Sequence, residues 1–340
     1  MFKPLVSIII PNLNGEKFLE DCLESLREQT CRNFEIILID NGSTDNFVSR
    51  AKKFFPEVKI IKNQENLGFA KANNQGFEIS KGEYIATLNN DTVVDRNWLK
   101  ELVAVAEKDE NIGMVASKIL LAKEGNKIDS VGVNIALDGM TKQRGGLEID
   151  RGQYDREEEI LFPSACAALY KRKMLDEIGF FDEDFFAYCE DSDLGLRGRL
   201  AGWKAVYAPK AIVRHLYSQT GGRHSPFKLY LVERNHIWLV IKNFPRELIF
   251  LFPLFTFWRF FLQFLAVLIG KGTGSEALKT NSKWVLIKSI FAAHYDGFKK
   301  FVFYISQRRQ IQKKRKISRK DLRFLFKQHK LSFKNLAFGK

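Results

Sequence analysis

The feature that most constrains this chain is a short apolar run ending in a polar loop, used four times before residue 93 and followed three times by residues at helical spacing. Val6, Ile8, Ile9 and Ile10 lead into Pro11-Asn12-Leu13-Asn14-Gly15, after which Phe18, Leu19, Cys22, Leu23 and Leu26 recur every three or four positions. Residues 34–39 end in Asp40-Asn41-Gly42-Ser43-Thr44-Asp45, where Ser43 or Thr44 is expected to cap a helix starting near Asp45. Residues 58–61 run into Asn63-Gln64-Glu65-Asn66-Leu67-Gly68 and a helical stretch through Ala70, Asn73 and Phe77, and the run 84–88 stops in Asn89-Asn90-Asp91-Thr92. Strands alternating with amphipathic helices imply right-handed βαβ crossovers, hence an α/β fold with a mostly parallel sheet flanked by helices. Loops 11–15, 40–45, 63–68 and 89–92 then converge on the carboxyl edge of the sheet, where open α/β sheets bind ligands.

A carboxylate at that edge can hold a hard cation. Mg²⁺ tends to take one or two protein carboxylates plus substrate phosphates, so the sparse Asn89-Asn90-Asp91 suits a metal shared with a nucleotide diphosphate. Asn and Asp also punctuate ordinary turns, which leaves a plain turn open for the tripeptide alone. A second acidic cluster, Glu190-Asp191-Ser192-Asp193, follows an aromatic segment containing Phe185, Phe186 and Tyr188. Desolvation there can raise a carboxyl pKa, although the same acids also favour a helix N-terminus. Thr220-Gly221-Gly222-Arg223-His224-Ser225 is basic and glycine-rich, which makes Arg223 a candidate clamp for a diphosphate.

The strings Val6-Ser7-Ile8-Ile9-Ile10-Pro11-Asn12-Leu13-Asn14, Ile39-Asp40-Asn41-Gly42-Ser43-Thr44-Asp45, Asn66-Leu67-Gly68-Phe69-Ala70 with Asn73-Asn74-Gln75-Gly76, and Leu88-Asn89-Asn90-Asp91-Thr92 together resemble those of inverting family 2 glycosyltransferases with the GT-A fold. The resemblance covers about residues 4 to 245. It implies that Pro11, Asn12, Asn14, Asp40, Asn41 and Ser43 cradle the base of a nucleotide-sugar donor. Asn66, Gly68, Asn73 and Asn74 would complete the nucleotide pocket, and Asn89-Asn90-Asp91 would be the metal motif for Mg²⁺ or Mn²⁺. Asn89 stands where that motif usually has its first Asp, and Leu13 where an aromatic often stacks on the base. Glu190-Asp191 resembles the family's base motif, with Asp191 the candidate base and Glu190 its neighbour, and His215 matches the histidine that in many relatives completes the metal or diphosphate site. The acceptor implied is a lipid-linked or polysaccharide hydroxyl. The layout looks most like bacterial rhamnosyltransferases of cell-surface polysaccharide assembly, for which the donor would be dTDP-L-rhamnose.

The net charge of +14 is unevenly placed, since residues 301–340 hold 13 Lys and Arg against one acid, Asp321. The basic element is the tail. Cys22, Cys31, Cys166 and Cys189 lack metal-ligand spacing, and no signal-peptide pattern opens the chain, so a cytoplasmic protein is expected. The long segment 125–161 is expected to form acceptor-facing hairpins or a lid.

After Pro245, residues 248–269 are apolar enough to span a bilayer, interrupted by Pro253, Thr256, Arg259 and Gln263. A single crossing would separate the basic tail from the catalytic part and leave Arg259 near mid-membrane. An interfacial or re-entrant helix pair is therefore expected, with Trp284, Ile287, Phe291, Tyr295, Phe298 and Val302 facing the headgroups and the basic run from Arg308 meeting an anionic membrane surface on the cytoplasmic face. The expected domains are 1–245 (glycosyltransferase), 246–307 (membrane-associated helices) and 308–340 (basic tail). A nucleic-acid binder using the tail, with Phe324 and Phe326 stacking on bases, leaves the four loops unexplained, and no nucleic-acid partner is expected. A sugar nucleotidyltransferase needs a Gly-rich, Arg/Lys-containing phosphate loop after the first strand, which this sequence lacks.

Overall fold

The structure is a computed structural model that describes residues 3–216 and 225–339. In strand β1 (Val6–Asn12) the side chains of Val6, Ile8, Ile9 and Ile10 are all fully buried, so both faces of the sheet are covered at this strand. Strands β2 (Phe34–Asn41) and β4 (Tyr84–Leu88) flank β1 in parallel, and β3 (Lys59–Asn63) adds to β2 in parallel. The crossovers are helices α1 (Leu19–Arg27), α2 (Phe47–Phe54) and α3 (Phe69–Ile79).

The chain continues through β5 (Thr92–Val94), α4 (Trp98–Ala106), β6 (Ile112–Leu121) and β7 (Ile128–Ser130) to a hairpin of β8 (Val133–Ile135) and β9 (Thr141–Gln143). Next come β10 (Glu158–Ile160), β11 (Ala167–Lys171), α5 (Arg172–Ile178), α6 (Glu190–Leu200) and β12 (Lys204–His215). The sheet order is β10-β12-β6-β11-β4-β1-β2-β3, with β5 on β12 and β7 on β6. The parallel arrangement expected from the βαβ units is found in β4-β1-β2-β3. Beyond it the sheet is mixed, because β11 starts at the loop edge and runs antiparallel to both β4 and β6. Strand β12 returns parallel to β6 and carries His215 to the same edge as the ends of β1, β2 and β4.

The chain divides into two compact units, Met1–Val133 with Gln143–Thr220, and Asn134–Lys142 with Gly221–Lys340. The first contains the large sheet. The second contains α7 (Pro226–Asn243), α8 (Arg246–Leu268), α9 (Gly272–Thr280), α10 (Lys283–Lys299), α11 (Phe301–Lys313), α12 (Arg319–Gln328) and α13 (Phe333–Phe338). Helix α7, within the segment 1–245 expected as the glycosyltransferase domain, packs with α10, where Trp238 Nε1 donates to the Gly297 carbonyl at 3.0 Å. After residue 245 exposed large apolar side chains become dense, from Phe250 through α8 and α10.

Arg259 does not face outward from α8. It is fully buried, with Nη1 and Nη2 each 2.8 Å from a different carboxylate oxygen of Glu233 and Nε 2.6 Å from Asp138 Oδ2. Burial alone would raise the Glu233 pKa, but Arg259 overrides it and holds Glu233 down at about 2. The positive charge that argued against a single crossing is therefore paired with carboxylates of its own unit.

Candidate functional site

The first three loops are joined by hydrogen bonds between side chains. Asn12 pairs in register with Asp40 and, through Nδ2, donates to Ser43 Oγ at 3.3 Å, while Asn90 Nδ2 donates to Asn12 Oδ1 at 2.8 Å. A Cβ on Gly15 would fall 2.0 Å from Asn12 Oδ1 and 2.4 Å from Asn90 Nδ2, so only glycine leaves room for this pair. Ser43 and Thr44 do not cap α2, whose N-cap is Asn46 without a side-chain cap bond. Ser43 Oγ accepts from the Asn14 amide at 2.9 Å and Asn14 Oδ1 accepts from the Thr44 amide at 2.8 Å, because the two loops meet before the helix begins. Asp40 Oδ1 accepts from the Ser43 amide at 3.1 Å. Asn41 spans to the third loop, donating to Asn66 Oδ1 at 2.9 Å and accepting from the Leu67 amide at 3.1 Å.

Asp91 lies between β4 and β5 and is buried. Its carboxylate Oδ1 is 3.2 Å from His215 Nε2, and the other ring nitrogen, Nδ1, is 2.7 Å from Asp129 Oδ2. The backbone holds this arrangement, since His215 pairs with Thr92 across β12 and β5 and the Leu216 amide donates to the Asp91 carbonyl at 2.9 Å. Burial works against protonation of His215, but Cys166, Asp129 and Asp91 outweigh it and hold its pKa well above the ordinary histidine value. Desolvation raises the Cys166 pKa and keeps that thiol protonated at neutral pH, so the two carboxylates carry the effect.

Glu190 and Asp191 open α6. Desolvation is the largest effect on both and raises both pKa values; for Glu190 the Asp191 charge adds to it, and Glu190 Oε2 is buried with no hydrogen-bond partner among the described residues. Asp191 Oδ2 accepts from the Ala165 amide at 3.2 Å, and the next residue, Cys166, accepts the Asn89 amide at 2.8 Å on its carbonyl. Consecutive residues at the start of β11 thus tie the base candidate to the Asn89-Asn90-Asp91 loop. The two acidic motifs, a hundred residues apart, share one edge of one sheet.

The loop before α6 is strained. Phe186 (φ 64°), Tyr188 (φ 69°) and Cys189 (φ 66°) all occupy the left-handed region, and the Ala187 amide closes a three-residue turn on the Phe185 carbonyl at 2.7 Å. The Phe186 carbonyl accepts the Ala70 amide at 3.1 Å. Gly68, at φ +87°, lies so close that a Cβ would come within 2.6 Å of that carbonyl oxygen. Residues 66–70 therefore hold the loop that delivers Glu190 and Asp191.

The model of the Glycosyl transferase family 2 matches residues 7–179, half of the chain. The chain belongs to glycosyltransferase family 2. It is 37% identical to glycosyltransferase GlyG of Streptococcus pneumoniae over 32% of this chain and 37% of that protein. It is 28% identical to the N-acetylglucosaminyl-diphospho-decaprenol L-rhamnosyltransferase of Mycobacterium tuberculosis over 65% of this chain and 81% of that one. The chain spans about two fifths of the length of the first curated relatives it matches. In fold it is similar to GalNAc-T7, solved with UDP, GalNAc and Mn²⁺, at a TM-score of 0.59 and 19% identity over 89% of this chain and 57% of that one.

In this family 2 chain, Pro11, Asn12, Asn14, Asp40, Asn41, Ser43, Asn66, Gly68, Asn89, Asn90, Asp91, Glu190, Asp191 and His215 all lie at the loop edge or in the loops bonded to it. Asn73 and Asn74 sit inside α3 as supports. The Asn73 amide donates to the Phe69 carbonyl at 2.9 Å, and Asn74 exchanges hydrogen bonds with the Phe181 backbone at 2.9 and 3.1 Å. Arg223 lies outside the described residues. Asp129, Ala165 and Cys166 also belong to the edge, although no motif marks them in the sequence.

Proposed function

We propose that this protein transfers a sugar, with inversion, from a nucleotide diphosphate donor to a hydroxyl of a lipid-linked or polysaccharide acceptor in cell-surface glycan synthesis. The observation that carries the reading is the shared edge on which Ala165 and Cys166 join Asp191 to the Asn89-Asn90-Asp91 loop. Similarity to the mycobacterial rhamnosyltransferase supports L-rhamnose on dTDP as the donor.

Asp91 Oδ1 and His215 Nε2 form an oxygen and nitrogen donor pair that suits Mn²⁺ better than the oxygen-seeking Mg²⁺. No cluster of three His, Cys, Asp or Glu that could hold a metal exists among the described residues, which fits a cation completed by donor phosphates and water. Such a cation, when bound, neutralises charge on the departing diphosphate. The loops 11–15, 40–45 and 66–68 hold the nucleoside. Asp191 takes the proton of the acceptor hydroxyl, whose oxygen forms a bond to the anomeric carbon as the bond from that carbon to the diphosphate oxygen breaks. A base of raised pKa suits this step near neutral pH.

We assign the membrane as partner on the outward face of α8 and α10. Phe250, Leu254, Phe257, Phe261, Phe264 and Leu268 recur along α8 and are all exposed, as are Trp284, Phe291 and Tyr295 along α10. Helix α8 is long and apolar enough to cross a bilayer, while buried Arg259 on its other face favours a helix lying in the interface. The test is a panel of nucleotide sugars, dTDP-rhamnose among them, read by thermal shift of the full chain with and without Mn²⁺. Stabilisation by one or a few donors supports the assignment, and none by any donor contradicts it.

A further inference from the structure

We propose that Asp129 is a positioning residue for His215, holding the ring hydrogen at Nδ1 so that Nε2 is the nitrogen that meets the cation and diphosphate beside Asp91; this rests on the metal-assisted reading above. The register around Asp129 is what singles it out. Across β6 and β7, Ile119 pairs with Ser130 and Leu120 with Ile128, so β7 advances two residues where β6 advances one and Asp129 is the extra residue of a β-bulge. Bulges re-aim a side chain, and they concentrate beside active sites. Here the re-aimed carboxylate is buried and lies 2.7 Å from His215 Nδ1. Strand β6 also pairs in parallel with β12, where Leu121 stands opposite His215, so one strand fixes both partners.

The chemistry follows from the imidazole. A ring that ligates a cation gives up one hydrogen and keeps one N–H, and a carboxylate accepts but cannot donate, so Asp129 holds the remaining hydrogen at Nδ1 and the cation displaces the one on Nε2, beside Asp91. A carboxylate behind a ligating histidine orients the ring and makes it a better ligand, and removing such a partner typically weakens metal affinity about 10- to 100-fold. In Asp129→Asn the amide can donate to Nδ1, which moves the ring hydrogen to Nε2 and turns an N–H toward the cation.

The experiment measures Mn²⁺ affinity by calorimetry in the presence of saturating UDP or dTDP for the full chain and for Asp129→Asn, His215→Ala and the double variant, with ¹⁵N-histidine NMR in diamagnetic Mg²⁺ and the same nucleotide to read the His215 tautomer. The expected result is that Asp129→Asn weakens Mn²⁺ binding about 10- to 100-fold, that the tautomer signal changes, and that the double variant binds no more weakly than His215→Ala alone. Asp129→Glu, which displaces the carboxylate by one methylene, carries the same test if Asp129→Asn does not fold. Wild-type Mn²⁺ affinity in a folded Asp129 variant, or additive losses in the double variant, overturns the proposal and leaves the metal-assisted reading standing. Absence of Mn²⁺ binding by the wild-type chain overturns both.

Discussion

At the scale of the residue, the proposed chemistry turns on two adjacent carboxyls with different surroundings. Asp191 accepts hydrogen bonds from the Ala165 amide and from Ser192, which favour its ionised form, whereas Glu190 Oε2 has no partner among the described residues. Asp191→Asn is expected to lower the transfer rate by on the order of 10²- to 10⁴-fold while nucleotide affinity, followed by calorimetry, stays within about twofold. A folded Asp191→Asn enzyme that turns over at the wild-type rate removes Asp191 as base. Burial raises both carboxyl pKa values, so the acid limb of kcat/KM should lie above the ordinary aspartate value of about 4, and it reports the pair together. The sign for stability is the reverse of the usual carboxylate case. A carboxyl whose pKa is higher folded than unfolded contributes stability below its unfolded pKa, and that stability is lost as pH rises through the folded value. Glu190→Gln should therefore raise Tm at pH 8 and do little at pH 4, as thermal denaturation would show; an equal change at both pH values contradicts the burial argument. The residues inside recognisable strings, Asp91, Glu190, Asp191 and His215, were legible in the sequence because loop residues at strand ends carry their chemistry with them. Asp129 was not, since its place depends on a one-residue bulge between two strands and no pattern of types marks it.

Among elements, the informative joint is between residues 66–70 and the loop before α6. Gly68→Ala requires a left-handed backbone at a residue with a Cβ and puts that carbon within 2.6 Å of Phe186. It is expected to cost about 1–3 kcal/mol and to lower turnover more than nucleotide affinity, because the displaced loop carries the proposed base. An Ala variant with unchanged Tm and turnover would show that the joint does not matter. The three strand-to-helix units and the fourth strand were readable from the start, because apolar runs and helical spacing are local signals. The antiparallel entry of β11 and the length of β12 were not, because both depend on strands far apart in the chain. Nor were the partners of Arg259, since Glu233 and Asp138 are distant from it in sequence. Arg259→Ala leaves two buried carboxylates without their cation and should destabilise the protein by about 3–5 kcal/mol in chemical denaturation. A loss below 1 kcal/mol would mean that water or local rearrangement replaces the guanidinium.

For the whole molecule, the account joins a nucleotide-sugar site on the sheet edge to a helical unit with an exposed aromatic face and a basic tail. Replacing Trp284 and Phe291 together with Ser is expected to reduce sedimentation of the full chain with vesicles containing anionic lipid, while the Mn²⁺ and nucleotide affinities stay as they were. Undiminished vesicle binding, or a dimer by light scattering that the double variant abolishes, would assign that face to another partner. The central claim is that Asp91 belongs to a cation site shared with a nucleotide diphosphate, and it is tested most directly by calorimetric titration of UDP and dTDP into the wild-type chain and Asp91→Asn, each with and without Mn²⁺. The account predicts that Mn²⁺ tightens binding of at least one nucleotide about tenfold or more in the wild type and has no such effect in Asp91→Asn. Equal Mn²⁺ enhancement in the two proteins, or no nucleotide binding by the wild type, would contradict it.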